Sequence, residues 1–280
     1  MAKKPLTLSI VIPVYNEQNH LKACLDAITA QTVKPDEVIV VDNNSTDDSI
    51  KIAKSYPFVK LIYEKKPSVL FARNAGFNTA KSDLIGRIDA DTVLAADWVK
   101  RAKSLMTDPD IFAVTGPVAI YDMPLPRFTR WLHDVLLRVA VKGGYHFLTG
   151  SNMVIRKSAW QTVKSELCED LSIFEDTDLA IHLSRMQMTP SYSPRLWASV
   201  SARRFADKRR NFFRYMRRHS QTLKKHNMPT TGAHYAQAAY AITYFLSWPL
   251  HRLFDPVARR FTLRRIFKSP ARRSDPMDNT

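Results

Sequence analysis

Apolar and polar positions alternate along the first half of the chain with two distinct periods. From Leu8 to Val14 the residues are β-branched and almost continuously apolar, the pattern of a strand buried on both faces. Leu21, Cys24, Leu25 and Ile28 then recur at i, i+3, i+4 and i+7, which predicts one buried face of a helix. Glu37 to Val41 predicts a second strand, closed by the polar run Asp42-Asn43-Asn44-Ser45-Thr46-Asp47, where Ser45 with Asp48 three residues on marks a helix start. Val59 to Tyr63 predicts a third strand and Val69 to Ala80 a helix. Leu84, Ile85 and Ile88 predict a fourth strand, with a helical pattern from near Ala96. Such alternation implies an α/β fold with a mixed, mainly parallel sheet flanked by helices, its polar strand ends at Tyr15, Asp42 and Asp89 gathered on one rim.

Beyond Ala113 the pattern loosens. Phe128, Trp131, Leu132, Val135, Leu136 and Val139 form an apolar stripe at helical spacing, suited to packing on a core or to lying on a membrane surface. Thr149 to Ile155 reads as a polar turn entering a strand, Phe174 to about Met188 as an acidic turn opening a helix, and Tyr192 to Val200 as one more strand. Asp207 to about Lys225 predicts a basic helix. Tyr235 to Leu250 is uncharged and largely apolar but shorter than the roughly 20 residues that span a bilayer, so it is expected either as an interfacial segment or as a helix docked on the domain.

The chemistry concentrates where the fourth strand ends. Of three Asp-x-Asp patterns, Asp89/Asp91, Asp108/Asp110 and Asp176/Asp178, only the first closes a predicted strand, the edge where open α/β sheets bind ligands. Two carboxylates there are either solvated loop residues or hard-oxygen ligands for Mg²⁺ or Mn²⁺, ions usually completed by substrate phosphate. Asp176, at a helix start, is either an N-cap or a general base that the helix amino terminus keeps ionised. No Gly-x-Gly-x-x-Gly follows a strand and no Walker-type Gly-Lys-Ser/Thr occurs, so dinucleotide and P-loop sites are excluded.

Charge refines this picture. The formal net charge of +16 suggests a nucleic-acid binder until it is located: 18 Lys or Arg face 4 acidic residues from Val200 onward, against 24 and 22 before it. The basicity belongs to the carboxyl end, where Arg259, Arg260, Arg264, Arg265, Lys268, Arg272 and Arg273 suit anionic lipid headgroups. Residues 1–205 are therefore expected to form the catalytic body and 206–280 a basic helical extension. Cys24 and Cys168 stand far apart and show no metal-type spacing, no histidine is singled out as a ligand, and no signal peptide is recognised, so a reducing, cytoplasmic setting is expected.

Five stretches in order carry a resemblance: Ser9-Ile-Val-Ile-Pro-Val-Tyr-Asn-Glu17, Val40-Val-Asp-Asn-Asn-Ser-Thr-Asp47, Ala72-Arg-Asn-Ala-Gly76, Asp89-Ala-Asp91 and Glu175-Asp-Thr-Asp-Leu179. With them the chain, over roughly Leu8 to Arg204, resembles a family 2 glycosyltransferase of the GT-A fold. The resemblance implies that Pro13, Tyr15, Glu17 and Asp42 line the nucleoside pocket of a nucleotide-diphospho-sugar donor. It implies that Arg73, Asp89 and Ala90 approach the donor, and that Asp91 with Asp89 binds the divalent ion. Asp176 matches the base that deprotonates the acceptor in an inverting single displacement, and Gly150, Ser151, Asn152 and Glu175 fall on the acceptor side. The implied acceptor is a glycan or lipid-linked molecule at an anionic membrane surface on the inner face, with no nucleic acid as partner. Asn43 and Asn44 depart from the family's usual acidic residue and glycine, and Ser201-Ala-Arg-Arg-Phe205 only loosely matches the Gln-x-x-Arg-Trp element of processive synthases. A nucleotidyltransferase of similar fold, or a non-enzymatic nucleic-acid or membrane binder using the basic third, remains an alternative.

Overall fold

The computed structural model describes residues 4–203, 209–231, 234, 241, 245, 250, 253–255 and 260–262. The apolar stretch 235–250, the basic end beyond it and the division near residue 205 lie almost wholly outside the described residues.

The regular first half follows its periodicities. It runs β1 (Leu8–Val14), α1 (Leu21–Thr29), β2 (Glu37–Asp42), α2 (Ser49–Lys54), β3 (Val59–Tyr63), α3 (Val69–Thr79) and β4 (Leu84–Arg87). Strands β3, β2, β1 and β4 lie side by side in that order, all parallel, so their carboxyl ends share one rim. Period-two alternation within β1 sends Ile10 and Ile12 into the apolar layer with α1 and Trp98, and Val11 into the opposite layer with Phe77 and Trp160. Both layers are buried, which explains why β1 reads as continuously apolar. Helix α3 approaches β1 closely because Gly76 faces it: an added Cβ would lie 2.3 Å from Val11 Cγ1.

The second half is mixed. After β5 (Val93–Leu94), α4 (Trp98–Leu105), β6 (Ala113–Thr115), β7 (Val118–Ile120) and α5 (Pro126–Lys142) come β8 (Met153–Arg156), α6 (Lys157–Val163) and α7 (Glu175–Arg185). They are followed by β9 (Ser191–Tyr192), β10 (Ala198–Val200) and α8 (Arg209–Lys225). Strand β8 pairs antiparallel with β4 and extends the main sheet through β6 to β9. Strands β5, β10 and β7 form a separate three-stranded sheet.

Two elements differ from expectation. The single strand expected over Tyr192 to Val200 is split between the two sheets. Ser193 bonds to Thr115, a turn closes from Leu196 N to Ser193 O, and Pro194 within that turn has no N–H for a ladder. Gly116 permits the crossing, since a Cβ there would lie 1.7 Å from the backbone oxygen of Leu196. The stripe on α5 does not pack into a core: no residue of the helix is fully buried, and Phe128, Trp131, Val135, Leu136 and Val139 are exposed, as is Leu125 just before it. Among the described residues no helix is long and apolar enough to cross a membrane.

Candidate active site

The rim at the carboxyl ends of β1, β2 and β4 is built by loops that brace one another. Asn16 and Asn44, each just past a strand end, adopt left-handed backbone (φ 52° and 69°), which Asn tolerates better than most residues. Asn16 Oδ1 accepts from Thr46 N, the Ser45 hydroxyl from Asn16 N, and the Ser49 hydroxyl from Glu17 N. The β1 and β2 loops therefore hold each other open around Tyr15, Pro13 and the buried Asp42. Asn43 is spent on the loop before α3, donating to the Glu64 and Lys66 carbonyls and accepting from Ser68 N.

Asp89 and Asp91 follow β4 on a turn closed by Thr92 N to Asp89 O, with Ala90 buried between them. Because β8 runs antiparallel to β4 and aligns Met153 with Arg87, the chain entering β8 reaches the same rim. That brings Gly150 and Ser151 beside the paired aspartates; Thr92 donates its hydroxyl to the Ser151 carbonyl. Asn152 is fully buried and acts as a clamp, accepting from Trp98 Nε1 and donating to the Pro117 and Leu196 carbonyls.

Helix α7 delivers Glu175 and Asp176 to this rim. Gly150 N donates to Asp176 Oδ2 at 2.9 Å and Thr177 N to Oδ1 at 2.9 Å, so both oxygens are oriented by backbone amides. Burial pushes the Asp176 carboxyl up to about 6, with Glu175 adding to the rise and Arg87 opposing it. Arg73, expected beside the donor, has its guanidinium entirely enclosed: it donates to the Glu175 carbonyl at 2.6 Å and to Asn74 Oδ1, fixing the first turn of α7 to α3.

Two arginines complete the charge pattern. Arg87, buried on β4, reaches Asp89 Oδ1 at 3.2 Å and Glu175 Oε1 at 3.0 Å through Nη2. Its Nε and Nη1 are buried with no hydrogen-bond partner among the described residues. Gly150 covers this guanidinium, and a Cβ there would lie 2.0 Å from Nη1. Arg203 follows β10, whose antiparallel register with β5 pairs Ser199 with Val93 and so carries the chain toward Asp91. It donates from Nε to Asp91 Oδ2 at 2.7 Å and from both Nη atoms to Glu17 at 2.6 and 2.7 Å. Burial pushes the Asp91 carboxyl up against the pull of Arg203; burial acts the same way on Glu17, but His20 and Arg203 hold it below its usual range. Sequence reasoning assigned no role to either arginine. The signal for Arg87 was a lone charge inside an apolar strand, and for Arg203 its place in the stretch compared with Gln-x-x-Arg-Trp.

Asp89 and Asp91 present carboxylate oxygens, the donor type of hard cations, and the Arg203 guanidinium already pairs Asp91 with Glu17. A separate groove of about 1010 Å³, lined by residues that include Arg101, Arg130, Trp131, Arg195 and Trp197, contains none of these groups.

The model of the family described as Glycosyl transferase family 2 matches residues 9–163, more than half of the chain. YibD of Escherichia coli K12, an uncharacterized glycosyltransferase, is 34% identical over 108 residues, covering 37% of this chain and 31% of YibD. Chondroitin synthase from Escherichia coli is 30% identical over 102 residues, 35% of this chain and 15% of that one. The chain thus spans about a third or less of these relatives. Among solved structures, the mannosyltransferase PcManGT from Pyrobaculum calidifontis, in complex with GDP-Man and Mn²⁺, superposes with a TM-score of 0.64 at 19% identity, covering 89% of this chain and 74% of that one. Glucosyl-3-phosphoglycerate synthase from Mycobacterium tuberculosis, in complex with Mn²⁺, UDP-glucose and phosphoglyceric acid, gives 0.55 at 17% identity, covering 81% of each chain. At these identities the likeness is one of fold, and it is the GT-A fold.

Removing the shared counter-charge of Glu17 and Asp91 leaves two largely buried carboxylates facing each other. Arg203→Ala is expected to lose roughly 3 kcal/mol of stability in chelator-containing buffer, measured by urea unfolding. An unchanged midpoint would show that the guanidinium carries no such burden.

Proposed function

The chain belongs to glycosyl transferase family 2, and from that premise we propose that it transfers a sugar from a nucleotide-diphospho-sugar to a glycan or lipid-linked acceptor hydroxyl, inverting the anomeric centre. The observation that carries this reading is the convergence of Asp89 and Asp91 from β4 with the amide-held Asp176 from α7 on one rim. On this reading Tyr15, Pro13, Glu17 and Asp42 line the nucleoside pocket, an aromatic face for stacking beside carboxylates for hydrogen bonding. Asp89 and Asp91 would hold Mn²⁺ or Mg²⁺, which neutralises charge on the leaving nucleoside diphosphate.

The remaining steps belong to protein groups. Asp176 takes the proton of the acceptor hydroxyl as that oxygen forms its bond to the anomeric carbon, while the bond from that carbon to the diphosphate oxygen breaks. The Gly150 and Thr177 amides fix its rotamer, so the free lone pairs keep their aim. A carboxyl raised by burial is a stronger base once ionised than an exposed aspartate would be. Glu175, paired with Arg87, stands beside it on the acceptor side.

Membrane-surface association is part of the proposal. Exposed Phe128, Trp131 and Val139 on α5, with Arg127, Arg130 and Lys142 on the same helix, suit an anionic lipid interface at the inner membrane face. The helix leads directly into the Gly150 loop, which would bring a lipid-linked acceptor to the base.

The deciding experiment is calorimetric binding of UDP, GDP and dTDP with and without Mn²⁺, on the wild type and Asp91→Ala. Metal-dependent binding of one nucleotide, lost in the variant, is the expected outcome; no binding of any would overturn the reading, and pyrophosphate release from a nucleoside triphosphate would favour nucleotidyl transfer. Asp176→Asn should keep nucleotide binding while lowering kcat by about 10²–10⁴-fold. Because only the ionised carboxylate accepts a proton, wild-type kcat should rise with pH through about 6. A pH-independent kcat across that range would remove Asp176 from the role. In flotation with anionic liposomes, Trp131→Glu is expected to lower the bound fraction, and equal flotation of both proteins would exclude α5 as the contact.

A further inference from the structure

A second cluster of metal-ligating side chains lies on α7 away from the carboxylate rim. Asp178 and His182 sit at i and i+4, hence on one face of the helix. His226 follows the end of α8, and Cys168 lies in the segment between α6 and α7. One ligand atom from each of the four falls within 4.8 Å of every other. Asp178 Oδ1 is 2.7 Å from His226 Nε2 and 3.5 Å from His182 Nε2, and Cys168 Sγ is 4.0 Å from His182 Nε2.

We infer that Cys168, Asp178, His182 and His226 form a four-coordinate zinc site that fastens α7, α8 and the segment before α7 to one another. The donor set decides the metal: a thiolate and two imidazoles select Zn²⁺ over Mg²⁺, Mn²⁺ or Ca²⁺, which prefer oxygen alone. Four protein ligands make the site closed, the pattern of structural zinc. Charge also balances, since one carboxylate and one thiolate match the two positive charges of the ion in a place where Asp178 is fully buried.

Outer contacts position the ligands. The Cys168 amide donates to Asp178 Oδ2, leaving Oδ1 free to face both imidazoles. In the ion-free arrangement Arg185 Nη1 lies 3.2 Å from His226 Nδ1, which sets the imidazole proton on Nε2, toward Asp178. Zinc takes the place of that proton: the His226 proton passes to Nδ1, which requires the Arg185 Nη1 donor to turn from Nδ1 to solvent while Nη2 retains its bond to the His226 carbonyl, and the Cys168 thiol releases its proton to solvent. The ion would have structural work to do. Among the described residues, α7 and α8 meet through Ile181 and Leu223 with Tyr145 against them, the Phe174 ring against Tyr215 and His219, and the bond from Phe174 N to the Thr222 hydroxyl, and the ion would add to these contacts.

The site is independent of sugar transfer, and so is its test. Full-length protein is loaded with Zn²⁺, passed through a desalting column and assayed for metal by mass spectrometry. One zinc per chain is expected, retained in Asp91→Ala and lost in Cys168→Ser and in His182→Gln. Substitution with Co²⁺ should give thiolate-to-cobalt charge transfer and the intense visible bands of a tetrahedral ion, and Zn²⁺ should protect Cys168 from alkylation in the wild type, a readout that needs no variant. Wild-type protein that retains no zinc and alkylates at the same rate with and without it would overturn the proposal. So would zinc that stays in both ligand variants or leaves only with Asp91→Ala.

Discussion

Beside Asp42, the carboxylates of Glu17, Asp89, Asp91, Glu175 and Asp176 crowd one rim of this sheet, and the fold depends on how their charge is met. Glu17 and Asp91 share Arg203, while Asp89 and Glu175 share Arg87, and each arginine is largely or wholly buried. Without such partners, acidic groups at these burials would protonate or repel one another. Asp176 lacks a direct guanidinium contact and is instead held by two amides, one on each oxygen. Burial raises the proton affinity of both Asp91 and Asp176, but only Asp91 is paired with a guanidinium.

Topology is what makes this arrangement possible. Parallel β1, β2 and β4 bring Glu17, Asp42 and Asp89 to one edge, but the remaining parts arrive through reversals of direction. Antiparallel β8 begins at the rim where β4 ends, so its leading loop supplies the Gly150 amide to Asp176 and covers Arg87 without a Cβ. Antiparallel pairing of β10 with β5 likewise returns Arg203 to Asp91, two residues before β5. Arg73 works one layer further out: its bond to the Glu175 carbonyl anchors the helix start that carries Asp176.

The two proposed cation sites differ in softness. The rim offers oxygen only, whereas the cluster of Cys168, Asp178, His182 and His226 mixes sulfur, nitrogen and oxygen. In the proposed arrangement the first turn of α7 contributes Asp176 to the rim and Asp178 to the structural clasp.

The sequence by itself determined the β1 to β4 half, because period 2 and period 3.6 report burial within one element and need no partner to be read. It also placed Asp42, Asp89 and Asp91 at strand ends, since they interrupt apolar runs abruptly. Asn44 was noted as a departure from glycine, and its left-handed backbone gives the physical reason the exchange is tolerated. What only the tertiary structure decided involves partners distant in the chain. Tyr192 to Val200 reads as one strand, yet splits because Gly116 lets another backbone cross it. The α5 stripe has the spacing of a packed helix and lies exposed, since spacing defines a face and not what covers it. Glu17 meets Arg203 from 186 residues away. Cys168 and His226, unremarkable in spacing, converge on α7 for the same reason: no local pattern encodes contacts that exist only once the sheet has set the positions of its helices.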